Sequence, residues 1–266
     1  KIYLAEQVKK KAKYYCGQHG NNYFTAYQTN ISVDIRTTDK FLSWGYKSKS
    51  NRIVPTFNLK CVGKLNGERY FKKNGNLLII CNIPGHNRSP IERNDLEEKQ
   101  IVSTFSILEN LRKEIKTNTN LRISQLFKEQ FNGYYFKKYF SKTKFKVDLL
   151  EEVNLRSQQS RARLNFFNYY STGMLENLLL DIPSICYLDK DYEYYNDFFM
   201  QKIKFLIKAK IVFFSKQNFV SHVNSIWDNV DLWWKSSKTQ KLIAKFNSNF
   251  NHGENNINKI VKILKA

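Results

Sequence analysis

The chain has 266 residues, 42% of them hydrophobic and 15% aromatic, values of a folded protein with one large domain or two small ones and not of a disordered chain. Lys and Arg number 44 against 23 Asp and Glu, a net charge of +21, which suits nucleic acid, anionic lipid or a phosphorylated substrate. No apolar run approaches the ~20 residues that span a bilayer, and the start, "KIYLAEQVKKKAKYY", lacks the apolar region of a signal peptide.

In chain order, residues 3–12 predict a short helix, and "KYYCG" a buried strand that runs into "QHGNN". "DKFLSWG" and "RIVPTF" predict two further strands, and residues 60–76, mixing Gly, Asn and charge, a hairpin or linker. "NLLIICNIP" is the clearest buried strand, and Pro84 and Pro90 punctuate the loop behind it. One long helix is predicted over residues 91–115, where Ile101, Phe105, Leu108 and Leu111 recur at helical spacing. "LRISQLF", "FKVD", "ARLNFFNYY", "PSICYLD" and "AKIVFF" then predict strands, with helices near 149–160 and over 173–180, 193–208 and 216–227. The tail, 229–248 and 255–265, predicts helix.

Strands alternating with helices imply βαβ units and a mostly parallel sheet. The fold class expected is α/β, a Rossmann-like doubly wound parallel sheet. Residues 76–250 are expected to hold a nearly complete doubly wound domain, 1–60 the closing part of a first Rossmann-like domain, 61–75 a linker and 251–266 a C-terminal helix. The start at Lys1, within a predicted helix, suggests a fragment of a longer protein.

The four cysteines, Cys16, Cys61, Cys81 and Cys186, are far apart and make neither a CxxC pair nor a zinc spacing. They read as reduced thiols of a cytoplasmic protein. The charge also has a compositional reading: the chain is rich in Lys, Asn, Ile, Phe and Tyr, residues with A/T-rich codons, and its lysines are spread rather than blocked.

In doubly wound sheets ligands bind beyond the carboxyl ends of the strands, and four such ends carry polar groups: Gln18, His19, Gly20 and Asn21; His86, Asn87 and Arg88; the loop after Arg122; and Ser171, Thr172 and Gly173. At the last, a helix start offers free N–H groups, hydroxyls and a glycine that admits a phosphate, with Glu176 one turn in for ribose hydroxyls. N-capping by Ser171 or Thr172 explains the same residues. His19, between Gly17 and Gly20, sits in a tight turn that aims it into an inter-domain crevice, as a general base or a phosphate partner. Arg88 suits a phosphate or carboxylate. His222 and His252 fall on expected helix or tail surface, and Trp227, Trp233 and Trp234 pack the last helices onto a domain.

Four segments together, "GQHGNNYFTA", "TDKFLSWGY", "STGMLENLLLDIPSI" and "SHVNSIWDNVDLWW", resemble a family of bacterial surface-polysaccharide transferases found in sugar-biosynthesis gene clusters of spirochaetes and other bacteria. The chain departs from the family pattern at Asn21, where a second glycine is usual, and after Arg122, where a proline is missing. The resemblance implies a two-Rossmann (GT-B) glycosyltransferase that carries the nucleotide in its C-terminal domain, with Ser171, Thr172 and Gly173 on phosphate, Glu176 on ribose and His19 catalytic or on phosphate; Arg88 and Arg122 are the further phosphate candidates among the strand-end residues. It implies no metal and no cofactor beyond a nucleotide-sugar substrate, a glycan or lipid-linked acceptor, no specific nucleic acid, and a cytoplasmic enzyme in peripheral contact with the anionic inner membrane. Competing expectations are a nucleotide-sugar epimerase or hydrolase of the same fold, a basic nucleic-acid-binding protein, and a remnant that binds nucleotide without turnover.

Overall fold

The computed structural model describes residues 2–21, 23–25, 33–58, 74–81, 95–123, 146–149, 154–189, 195–248 and 257–265. Its elements in chain order are α1 (Ile2–Lys9), β1 (Tyr15–Gly17), α2 (Val33–Thr37), β2 (Lys40–Ser43), β3 (Ile53–Pro55), β4 (Leu77–Ile80), α3 (Asp95–Glu109), α4 (Lys113–Thr117), β5 (Thr119–Ile123) and β6 (Lys146–Leu149). They continue with α5 (Leu155–Arg161), β7 (Leu164–Phe167), α6 (Thr172–Leu179), β8 (Ser184–Tyr187), α7 (Asp197–Lys208), β9 (Val212–Phe213), α8 (Lys216–Ile226), α9 (Val230–Trp234), α10 (Ser237–Ser248) and α11 (Ile257–Lys265). The chain divides into two compact units, one of Lys1–Gly67, Tyr194–Phe205 and Ile243–Ala266, the other of Glu68–Glu193 and Leu206–Leu242.

In the first unit β1, β2 and β3 form a parallel sheet, with Cys16 opposite Phe41 and Phe41 opposite Ile53. One side of its core is Tyr23, Phe24 and Phe41, with Tyr46 stacked on Phe24 at 3.9 Å between ring centroids. Phe24 holds a left-handed φ of 62°, and its carbonyl accepts from Asn196 Nδ2 at 2.8 Å. A second cluster joins Leu42 and Phe57 to Ile260 of α11.

The second unit carries six parallel strands in the order β6-β5-β4-β7-β8-β9. Counted within the unit this is 3-2-1-4-5-6, the order of doubly wound nucleotide-binding sheets, which reverses direction between its first and fourth strands. Strand β4, "LLII", is buried at all four positions, as a central strand covered on both faces requires. On one face Leu77, Ile79, Leu121, Leu164, Phe166 and Ile185 pack against α3, α8 and α9 through Ile107, Leu108, Phe219, Val223 and Val230. On the other lies α5, whose Gln159 carbonyl accepts from Asn165 Nδ2 of β7 at 3.0 Å. Helices on both faces make this the parallel α/β sheet that the strand–helix alternation predicts.

Some expectations need correcting. The helix predicted over 91–115 is two: α3 ends at Glu109, and Arg112 is extended (φ −54°, ψ 148°), its N–H donating to Asn224 Oδ1 at 2.9 Å rather than to a helical carbonyl. The five-residue α2 has too few turns for a periodic signal and was not expected. His222, expected on the surface, is buried: it follows Phe219 by three positions on α8 and so shares its inward face. Its ring lies 5.4 Å from Phe213 and edge-on to Trp233 at 5.1 Å. His86, Asn87, Arg88, Cys61 and His252 lie outside the described residues, as do residues 61–73 of the linker predicted over 61–75.

Candidate functional site

The sheet order points to one place in the second unit. The adjacent strands β4 and β7 are paired in register, Ile80 opposite Phe167, and the sheet changes direction between them. A chain leaving β7 at its carboxyl end runs directly into Ser171 and α6. The sequence secures this corner: the Asn168 carbonyl accepts from Gln100 Nε2 at 2.5 Å, and Asn168 Nδ2 donates to Thr104 Oγ1 at 3.3 Å, so α3 pins the strand end.

Ser171 is the N-cap of α6, extended at φ −105° and ψ 158°, with its Oγ accepting from the Met174 N–H at 3.0 Å. The capping role is therefore real: a lone pair of the hydroxyl serves the helix, and the same hydroxyl also hydrogen-bonds with the Tyr169 side chain. Thr172 and Gly173 form the first turn. Gly173 backs onto α5: a methyl group placed on it would lie 3.4 Å from Gln159 Nε2 and 3.6 Å from Phe167 Cε1. Gln159 is 5% exposed, and its Nε2 has no hydrogen-bond acceptor among the described residues. A buried amide donor without an acceptor is costly, and this one sits against the first turn of a helix whose end attracts anions.

Glu176 accepts from Arg156 Nη2 of α5 at 2.8 Å, through Oε2, with its side chain 20% exposed. Arg122 lies in β5, its Cα in register with Ile80, and is 8% exposed; its guanidinium donates to Gln158 Oε1 of α5. The structure thus gathers Arg122, Gln158, Gln159, Arg156, Glu176 and Ser171 around β4, β5, β7 and the helices α5 and α6. The α5 residues escaped the sequence reading. They lie in a polar helix, "LRSQQSR", whose role comes from what it faces and not from a motif.

The first unit presents a separate group. Beyond β1, Gln18 locks its own turn: its N–H donates to the Leu42 carbonyl at 2.9 Å, Nε2 to the Gly20 carbonyl at 2.8 Å, and its Oε1 accepts from the Trp44 N–H at 2.8 Å. Asn21 is buried, and its carbonyl accepts from Thr25 Oγ1 at 3.1 Å. Gln18 and Asn21 therefore build the loop, which leaves His19 exposed on it. His19 Nδ1 lies 3.1 Å from the Tyr23 hydroxyl, and that hydroxyl donates to Asp34 Oδ2 at 2.5 Å. Tyr23 carried no signal in the sequence, and Asp34 only its nearness to His19.

Cys16, Cys81 and Cys186 are free, and burial pushes the Cys186 thiol well above its ordinary range. Among the described residues no group of His, Cys, Asp and Glu is arranged to hold a metal ion.

A comparison with curated proteins finds no match. Among solved structures, WaaG, a glycosyltransferase involved in lipopolysaccharide biosynthesis, aligns at a TM-score of 0.42 and 10% identity, covering 94% of this chain and 77% of that one, a likeness too distant to assign residues. The family model described as LIC12162 family transferase matches residues 1–263. Spanning nearly the whole sequence, that match places the chain in its family: it belongs to the LIC12162 family of transferases.

Proposed function

We propose that the protein is a glycosyltransferase that moves a sugar from a nucleotide-activated donor to a cell-surface glycan or lipid-linked acceptor. The observation that carries this reading is the start of α6: a Ser-capped helix end with a buried amide behind it that finds no acceptor among the described residues, standing where the strand order of the sheet reverses. There the donor's phosphates meet the N–H groups of α6, the Ser171 hydroxyl and the Arg122 guanidinium, while Glu176, held by Arg156, receives ribose hydroxyls. Arg88 joins as a further phosphate partner in this reading, and His19 takes the proton of the acceptor hydroxyl. As the acceptor oxygen bonds to the anomeric carbon, the bond from that carbon to the phosphate oxygen breaks, and the nucleotide leaves with the electron pair. Its charge is met by the helix end and arginine, so no metal is required in this account. The basic surface suits an anionic leaflet as a peripheral contact.

The nucleic-acid reading is disfavoured by where the rings are. Tyr3 is the only Phe, Tyr or Trp that is exposed among the described residues, whereas single-strand binding needs aromatic platforms at the surface.

The test is turnover of a panel of nucleotide-sugars by the full chain, with and without EDTA. Release of one nucleotide, lost in His19→Ala and retained in EDTA, is the expected result. Turnover abolished by EDTA would remove the metal-free account, and full turnover in His19→Ala would remove the base.

A further inference from the structure

The Asp34–Tyr23–His19 array goes further than a base at a loop. A tyrosine hydroxyl has a single hydrogen, and a carboxylate only accepts. Tyr23 therefore spends its hydrogen on Asp34 Oδ2, 2.5 Å away. Its oxygen also lies 3.1 Å from His19 Nδ1. With no hydrogen left to give, that oxygen can only accept, so the hydrogen of this second bond belongs to Nδ1. A neutral imidazole protonated at Nδ1 has its lone pair at Nε2.

The array is built to stay in place. Tyr23 is 8% exposed, with its ring 5.2 Å from Phe41 and 6.5 Å from Phe24, so the phenol cannot swing away. His19 stands edge-on to that ring at 5.1 Å and 79°. Asp34 sits in the first turn of α2, where a carboxylate is favoured. His19 as a residue is exposed.

We infer that Tyr23 and Asp34 are positioning residues that hold His19 in its Nδ1–H tautomer and present Nε2 as a proton acceptor. This rests on the reading of His19 as the base and deepens it. A neutral ring in this tautomer accepts a proton at Nε2 and has no hydrogen there to offer a phosphate, so the array selects the base over the phosphate partner. When Nε2 takes the acceptor hydroxyl's proton, the imidazolium keeps its Nδ1–H on Tyr23, with the Asp34 charge behind the phenol.

The experiment is a long-range proton–nitrogen spectrum of the full chain, with the His19 ring assigned by its loss in His19→Ala. It is recorded about two pH units above the ordinary imidazole pKa, where a free ring is neutral. The expected spectrum has a protonated Nδ1 and a bare Nε2. Tyr23→Phe should convert the ring to the Nε2–H form and lower kcat by about tenfold to a hundredfold, with KM for the donor unchanged. A wild-type ring protonated at Nε2, or a Tyr23→Phe spectrum like the wild type, overturns the array. The two claims fail separately. An Nδ1–H spectrum beside an active His19→Ala chain leaves the array and removes the base; an Nε2–H spectrum beside an inactive His19→Ala chain does the reverse.

Discussion

At the scale of single residues, Ser171 does two things at once. As the cap of α6 it satisfies the Met174 N–H, so Ser171→Ala should cost about 1 kcal/mol of stability, read by denaturant unfolding. The same hydroxyl is one the proposed donor phosphate meets, so this variant should also weaken nucleotide binding by about tenfold. Lost stability with unchanged affinity would make Ser171 a cap and nothing more. Gln159 separates the two roles better, because its side-chain Nε2 has no acceptor among the described residues: Gln159→Met should weaken nucleotide binding while changing stability by less than about 1 kcal/mol. His222 gives a prediction about pH. Burial first, and Lys210 second, push its pKa down to about 4 from an ordinary 6.5. Between those values the unfolded chain binds the proton that the folded chain refuses, so stability rises with pH there and falls as pH drops from 6.5 towards 4. The loss should reach up to about 3 kcal/mol, and His222→Phe should flatten the profile. An equally steep decline in that variant would place the effect elsewhere.

At the scale of elements, the strands of the second unit were legible because parallel strands covered on both faces are mostly apolar, as "LLII" is throughout and "LNFF" is but for Asn165. The helix start at Ser171 was legible for the same kind of local reason. What was hidden depends on contacts across the chain. Gln159 matters because α5 crosses behind Gly173, and Tyr23 because its hydroxyl falls between residues 19 and 34. His222 was misplaced because a polar residue beside Phe219 and Val223 was given the polar side of its helix, although its position shares their inward face. Gly75 is a tighter constraint than its sequence suggests. A Cβ there would meet Arg163 N at 2.4 Å and Arg161 O at 2.5 Å, backbone atoms at the turn between α5 and β7. Gly75→Ala should therefore cost about 3 kcal/mol or more and loosen the register of β4 on β7, visible as a lower Tm. A substitution without effect on Tm would show that β4 enters the sheet differently.

At the scale of the whole molecule, two units, a parallel six-stranded sheet and membership of a transferase family agree with each other, and the charge of +21 has to be fitted to them. Among the described residues its aromatic side chains are buried or half-buried apart from Tyr3, with Phe41, Phe57, Phe166, Phe199, Phe219 and Trp234 fully buried. The tryptophans of the tail pack as expected: Trp234 Nε1 donates to Asp181 Oδ1 at 2.9 Å, Trp233 Nε1 to the Ala209 carbonyl at 3.1 Å, and Arg163 lies over the Trp227 ring at 4.8 Å. The charge should then act as a general field, attracting any polyanion and fading in salt. The central claim is a nucleotide site at the start of α6, and the most direct measurement is a thermal-shift screen of the full chain with CMP, CDP, UDP, GDP and short single-stranded DNA at moderate salt. One nucleotide, at about 100 times its dissociation constant, should add about 2.7 kcal/mol of stability, and less in Gln159→Met at the same concentration. A shift with DNA alone that vanishes as salt is raised would contradict the account, leaving Ser171 as a helix cap and the charge as the working feature.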